Sequence, residues 1–297
     1  MSVATSLSEG VPRRSGAEVV ALRRTAVRGE ASLAVRADEE GVTRLAGLHH
    51  RDPLSLRLPQ PGRGDVLEAC LITTSGGVVG GDHLQVAVTA GGDSSLRVYP
   101  QAAEKVYRSL GADSRISVNL RAESGAWLEW LPQETILFEG ARLRRDTLVD
   151  LEPGARVLAG EFLVFGRRAS GESLSQGLIH DGWQLRRDGR LAWADALHAE
   201  GDLAAQLASA ACLGGVTAYA SFLYAEDAAP ARLDALRGLL PEDSDGCHAA
   251  LTAVNGLVVG RFLGEARAVR GSYGAFWASA RAELAGLPAA LPRLWYL

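Results

Sequence analysis

From Arg23 to Phe165 the chain is a succession of short runs that alternate in polarity or are β-branched, among them ASLAVRA, VLEACLITT, HLQVAVTA, RISVNLRA and RVLAGEFLVF. Gly-Gly, Pro-Gly and Asp-Ser divide these runs at roughly the 8 to 12 residues that separate strands in stacked or meandering sheets. Side chains in such runs alternate between the two faces, so each strand must find cover for at least one of them. A mainly β body is therefore predicted. RVYPQAAEKVYRSLGADS interrupts the pattern; its Pro100 and short length predict a long connection or one helical turn.

The β pattern resumes in SLSQGLIHDGWQLRRDGRLAWADAL as successive Gly-punctuated hairpins. After that the character shifts. GDLAAQLASAACLGG is Ala- and Leu-rich enough for a helix, VTAYASFLYA alternates as a strand, and APARLDALRGLLP places Leu233, Leu236, Leu239 and Leu240 on a short amphipathic helix between two prolines. Asn255-Gly256 marks a hairpin turn within AALTAVNGLVVGRFLG. The stripe Ala266, Val269, Tyr273, Phe276, Trp277, Ala280 and Leu284 predicts a C-terminal amphipathic helix. Residues 1–20 are expected to be a disordered leader, and 21–297 a single domain with a helical C-terminal portion.

At 297 residues and 47% hydrophobic, the chain can bury a large core. A formal charge of -4 without a clustered basic run argues against nucleic acid or an anionic membrane as an obligatory partner. Cys70, Cys212 and Cys247 lie far apart without a CxxC, which speaks against a disulfide framework or zinc cluster and fits a reducing cytoplasm. Neither an apolar run long enough to span a bilayer nor a signal-type apolar segment is present.

TTSGGVVGGDHLQVAV, beginning at Thr73, sets four glycines and Asp82 between two strand-like runs. It lacks the Lys-Ser/Thr of a phosphate-binding P-loop, the spacing of a dinucleotide fingerprint and a following helix. The glycines predict a connection with positive φ angles. Asp82 is left either capping its own turn or serving another purpose. GESLS misses the nucleophile elbow, and the histidines are scattered, so no acyl-transfer or closed zinc signature emerges. The pairs His49-His50 and Cys247-His248 are weaker metal-ligand candidates. Glu129 and Glu134 bracket WLPQ, Glu139 follows ILF, and Glu161 lies inside the apolar RVLAGEFLVFG. A carboxylate there must be paired with an arginine, hydrogen-bonded, metal-bound or turned to a wet cavity. Trp127 and Trp130, three apart, are expected on opposite faces of a strand, one in the core and one at an interface.

SGGVVGGDHLQV, PQAAEKVYRS, GAWLEWLPQETILFEGARLRR, FLVFGRRASGE and a terminal LPRLWYL occur in an order and spacing that resemble the UreD (UreH) urease accessory proteins, from about Ser32 to Leu297. The resemblance implies stacked, helically wound β-sheets (β-solenoid-like) with a few helices toward the C-terminus. It further implies a non-catalytic role: binding apo-urease and, with the adaptor UreF and the GTPase UreG, loading nickel into the urease centre. Nickel would be held only transiently along a water-filled path, with no tightly bound cofactor. Weak, exchangeable carboxylate sites suit such transit, because a tight site would trap the ion. Asp82, closing the GGxVGGD motif, and Glu161 match residues associated with that path; Glu104 and Glu139 are further candidates. Glu104 and Leu174 depart from the usual family residues, as does the WYL ending.

Two other readings stand beside this one. A β-rich hydrolase or isomerase would use paired carboxylates such as Glu129 and Glu134. A binding module without a metal role would use Trp and Arg as interface anchors.

Overall fold

The computed structural model describes residues 26–241 and 246–296; the expected leader lies outside them. The first half of the chain is a run of strands: β1 (Arg28–Ala37), β2 (Thr43–Arg51), β3 (Leu54–Arg57), β4 (Leu67–Thr73), β5 (His83–Ala90), β6 (Ser95–Pro100) and β7 (Glu104–Val106). These are followed by β8 (Ser114–Ala122), β9 (Trp127–Trp130), β10 (Glu134–Leu137), β11 (Arg142–Leu151), β12 (Arg156–Phe165), β13 (Gln176–Arg187) and β14 (Arg190–Asp202). Helices enter only afterwards: α1 (Leu203–Ala208), β15 (Ala218–Ala225), α2 (Leu233–Arg237), β16 (Cys247–Val254), β17 (Leu257–Gly264) and α3 (Ala266–Ala285).

Two sheets result. One has seven strands in the order β14-β13-β11-β8-β5-β1-β2, and the other has ten, with the path β16-β17-β15-β12-β9-β6-β4-β3 and β10 and β7 attached beside β12. From β4 to β13 the chain passes back and forth between them, so that strands of successive coils become parallel neighbours: β5 with β8, β8 with β11, β6 with β9, β9 with β12. The helically wound, solenoid-like β architecture is the one expected. Antiparallel strands close both sheets at their edges.

The inward faces of the two sheets share one core, in which Leu33, Val86, Val118 and Val149 meet Val98, Leu128 and Val157. The ten-stranded sheet is covered on its other face as well, where Trp127, Phe162, Phe222 and Phe262 pack against Tyr273, Phe276 and Trp277 of α3. This double cover explains why β12 is buried at nine consecutive positions, whereas β8 of the seven-stranded sheet alternates. Trp127 and Trp130 do take opposite faces, and both are buried, one in each core.

Local expectations differ in detail. The segment around Pro100 holds no helix; it carries the three-residue β7 between two loops. One long hairpin, turning at Asp188-Gly189 with positive φ at both, replaces the successive hairpins expected before α1. Asn255-Gly256 turns the β16–β17 hairpin as expected, with φ of 48° and 78°.

Candidate functional site

The ladder of the ten-stranded sheet is broken at one level. Strand β12 pairs with β9 through Arg156–Ala159 and with β10 through Phe162–Phe165, leaving Gly160 and Glu161 opposite the Leu131–Gln133 break between those two strands. A matching break, Gln101–Ala103, separates β6 from β7. Pro100 and Pro132 stand at these breaks, and neither can donate a ladder hydrogen bond. A cavity of about 230 Å³ opens there, walled by Trp130, Pro132, Gln133 and Thr135 and reached by Glu104, Arg145 and Glu161. Gln101, Ala102, Ala103 and Gln133 also wall a larger groove of about 920 Å³ that runs along α3 past Arg267 and Arg270 to Trp295 and Tyr296.

Glu161 shares its strand face with Ala159 and Leu163, which both face the inter-sheet core, so the strand's own parity buries it. Its Oε2 lies 3.0 Å from Arg145 Nη1, and its Oε1 accepts the Phe162 amide. Arg145 also donates from Nε to Asp181 Oδ1 at 2.8 Å and from Nη1 to Thr135 Oγ1 at 2.9 Å. The arginine pulls the Glu161 pKa down, yet burial, helped by the Asp181 charge, outweighs it and pushes the carboxyl up to about 8. Burial dominates because Arg145 is already shared with Asp181. Arg145 Nη2 is buried and finds no partner among the described residues, an unspent donor in this cluster. Glu104, half-buried, receives the Thr73 hydroxyl at 2.6 Å; burial raises its pKa against that bond and the Lys105 amide.

The four carboxylates singled out from sequence do not converge. Only Glu104 and Glu161 reach the cavity. Asp82, 3% exposed, accepts the Val27 amide at 2.9 Å and the Val79 amide at 3.0 Å, so it caps its own turn and ties that turn to the start of β1. Glu139 takes the Ser175 hydroxyl at 2.7 Å and holds the 167–175 segment against β10. Two of the glycines before Asp82 are needed for close approach: a Cβ on Gly77 would stand 2.5 Å from the Tyr107 ring, and one on Gly80 2.1 Å from Ser109 Oγ.

Glu129 and Glu134 belong to separate ion pairs. Glu129 is fully buried and accepts Trp127 Nε1 at 2.8 Å, Trp277 Nε1 at 3.3 Å and Arg281 Nε at 3.1 Å. Glu134 pairs instead with Arg270. Arg281 also meets Asp65, which binds Arg97 at 2.9 Å, and Arg97 pairs with Glu68. No catalytic pair is built from them. Among the described residues no group of three or more His, Cys, Asp and Glu could hold a metal ion, and no helix is long and apolar enough to cross a membrane. His49 and His50 lie on the exposed edge strand β2, while Cys247 is buried at the start of β16.

Sequence reasoning named Glu161 but missed Arg145, Asp181 and Thr135. Parity could have found the first two: Arg145 sits between Leu143 and Thr147, and Asp181 between Ile179 and Trp183, each at a position whose neighbours two away are buried.

A winding, solenoid-like β protein, with one sheet covered on both faces and a cavity at a break in that sheet's ladder, defines the class. A family model described as UreD urease accessory protein matches residues 27–296, and the chain belongs to that family. It is 48% identical over 259 residues to the urease accessory protein UreD of Magnetococcus marinus, covering 86% of this chain and 89% of that one. The Xanthobacter autotrophicus UreD is 48% identical over 223 residues, 75% and 76% of the two chains. A Methylobacterium UreD is 41% identical over 279 residues, 92% and 96%.

Proposed function

We propose that this chain is the cytoplasmic scaffold through which nickel is delivered to apo-urease, bridging it to UreF and, through UreF, to UreG. The observation that carries this reading is the cavity at the ladder break: two carboxylates reach it, and it shares walls with the groove along α3. Nickel is cargo here. Glu104 and Glu161 serve as transient oxygen ligands, each already engaged by protein groups, so that neither holds a divalent ion tightly. Arg145 opposes long residence by competing for Glu161. Asp82 and Glu139, which hold the backbone amides of Val27, Val79 and Ser175 outside the cavity lining, are not ligands in this reading. The groove beside α3 and the C-terminal segment is the surface for UreF.

Urease produced with its other accessory proteins and nickel tests the reading. Omitting this chain should collapse urease activity. A Glu104→Gln/Glu161→Gln variant should still co-purify with urease yet lower the nickel content of the enzyme by about tenfold, the scale of losing a carboxylate ligand or its support. Normal nickel loading by that variant would refute the conduit and leave an adaptor role only.

A further inference from the structure

Among the described residues, the outward face of the seven-stranded sheet has no counterpart to the helical cover of the other sheet. Strand register lines up six residues across it in one row: His198, His180, Arg144, Arg115, His83 and Arg28. All six are half-buried or exposed. Neighbouring strands are about 4.8 Å apart, so the row is about 24 Å long. Arg144 is held by Asp113 at 2.6 Å, but the guanidinium groups of Arg28 and Arg115 make no hydrogen bond or ion pair among the described residues. His180 and His198 stack edge to face at 5.4 Å, and His180 Nε2 lies 3.4 Å from Asp146. The next row, two residues along each strand, carries Asp146, Ser117, Gln85 and Glu30 and lines part of an open groove of about 700 Å³. Two of its three arginines, Arg28 and Arg115, thus present unpaired guanidinium groups on this face of a chain of net charge -4.

We propose that this face docks an acidic, extended segment of a partner protein. The charge pattern decides the occupant. Phosphates of a nucleic acid or a lipid surface would meet Glu30 and Asp146 beside the row, whereas a polypeptide can set Asp or Glu against the row and neutral or basic side chains against the acids. Alternate side chains of an extended segment share one face, so about seven residues span the row. The site is separate from the cavity and stands or falls without the nickel reading.

The test is fluorescence anisotropy with the full-length chain and a labelled peptide of alternating glutamate and serine long enough to cover the row. Binding should weaken as salt rises, since exposed charges are screened within about 10 Å at 0.1 M. An Arg28→Glu/Arg115→Glu variant, its fold checked by circular dichroism, should bind about tenfold more weakly, because each reversal sets like charge against the peptide. Arg63→Glu, the same type of change at an exposed loop position elsewhere, should leave binding within about twofold, the range of surface charges outside a contact. Equal weakening by Arg63→Glu, no binding of the peptide at low salt, or tighter binding of a short DNA duplex or of phosphatidylserine vesicles than of the peptide would each overturn the proposal.

Discussion

Arg145 and Arg281 are both buried, and both face more carboxylates than they can neutralise, yet their surroundings differ. Arg281, on α3, meets Glu129 and Asp65 and donates to the Pro288 carbonyl, while both indoles of Trp127 and Trp277 complete the shell of Glu129. This cluster joins helix, sheet and C-terminal segment in the buried interior. Arg145 borders a cavity, keeps one nitrogen unpartnered and leaves Glu161 with a pKa near 8. The lesson is that a buried ion pair locks a fold best where donors saturate the carboxylate; beside a gap in the ladder, burial instead holds the Glu161 carboxyl well above its ordinary pKa.

The contrast can be broken by substitution. Arg281→Met should cost the most, about 3–5 kcal/mol in urea-induced unfolding, because it strands Glu129 and Asp65 in the interior. Glu129→Gln comes next, at about 2 kcal/mol, the scale of charged hydrogen bonds exchanged for neutral ones. Asp82→Ala should cost about 1–2 kcal/mol, since the Val27 and Val79 amides lose their acceptor, and Asp82→Asn should recover part of it.

Glu161→Gln should be the mildest when compared at about pH 4, under about 1 kcal/mol, because there the carboxyl is protonated in the folded chain and mostly so in the unfolded one. Its pH profile sharpens the comparison further. A carboxyl raised from 4.5 unfolded to about 8 folded contributes stability that is full below pH 4.5 and lost as pH rises to 8. Unfolding free energies of the parent measured across that window should therefore fall relative to those of Glu161→Gln. Parallel curves would show that Glu161 is ionised throughout, and the two clusters would then be alike.

Much of the fold was legible because strand parity and turn chemistry are local. The strands, the Asn255-Gly256 hairpin and the apolar stripe of α3 all follow from side chains two, three or four residues apart. The candidate site was legible only in part. Glu161 stood out as a charge in an apolar run, but Asp82 and Glu139, equally conspicuous by motif, turned out to hold backbone amides. Arg145 hid among the neighbouring Arg142 and Arg144 of its strand, whose side chains alternate away from it.

What the sequence determined by itself was a mainly β chain with late helices, its family, and the presence of carboxylates requiring an explanation, since each rests on short-range pattern or motif order. Which carboxylates share a cavity, which arginine answers each, and which sheet face the described residues leave uncovered were decided only when coils far apart in the chain came into register. Cross-strand neighbours and breaks in a ladder are properties of that winding, and no local period encodes them.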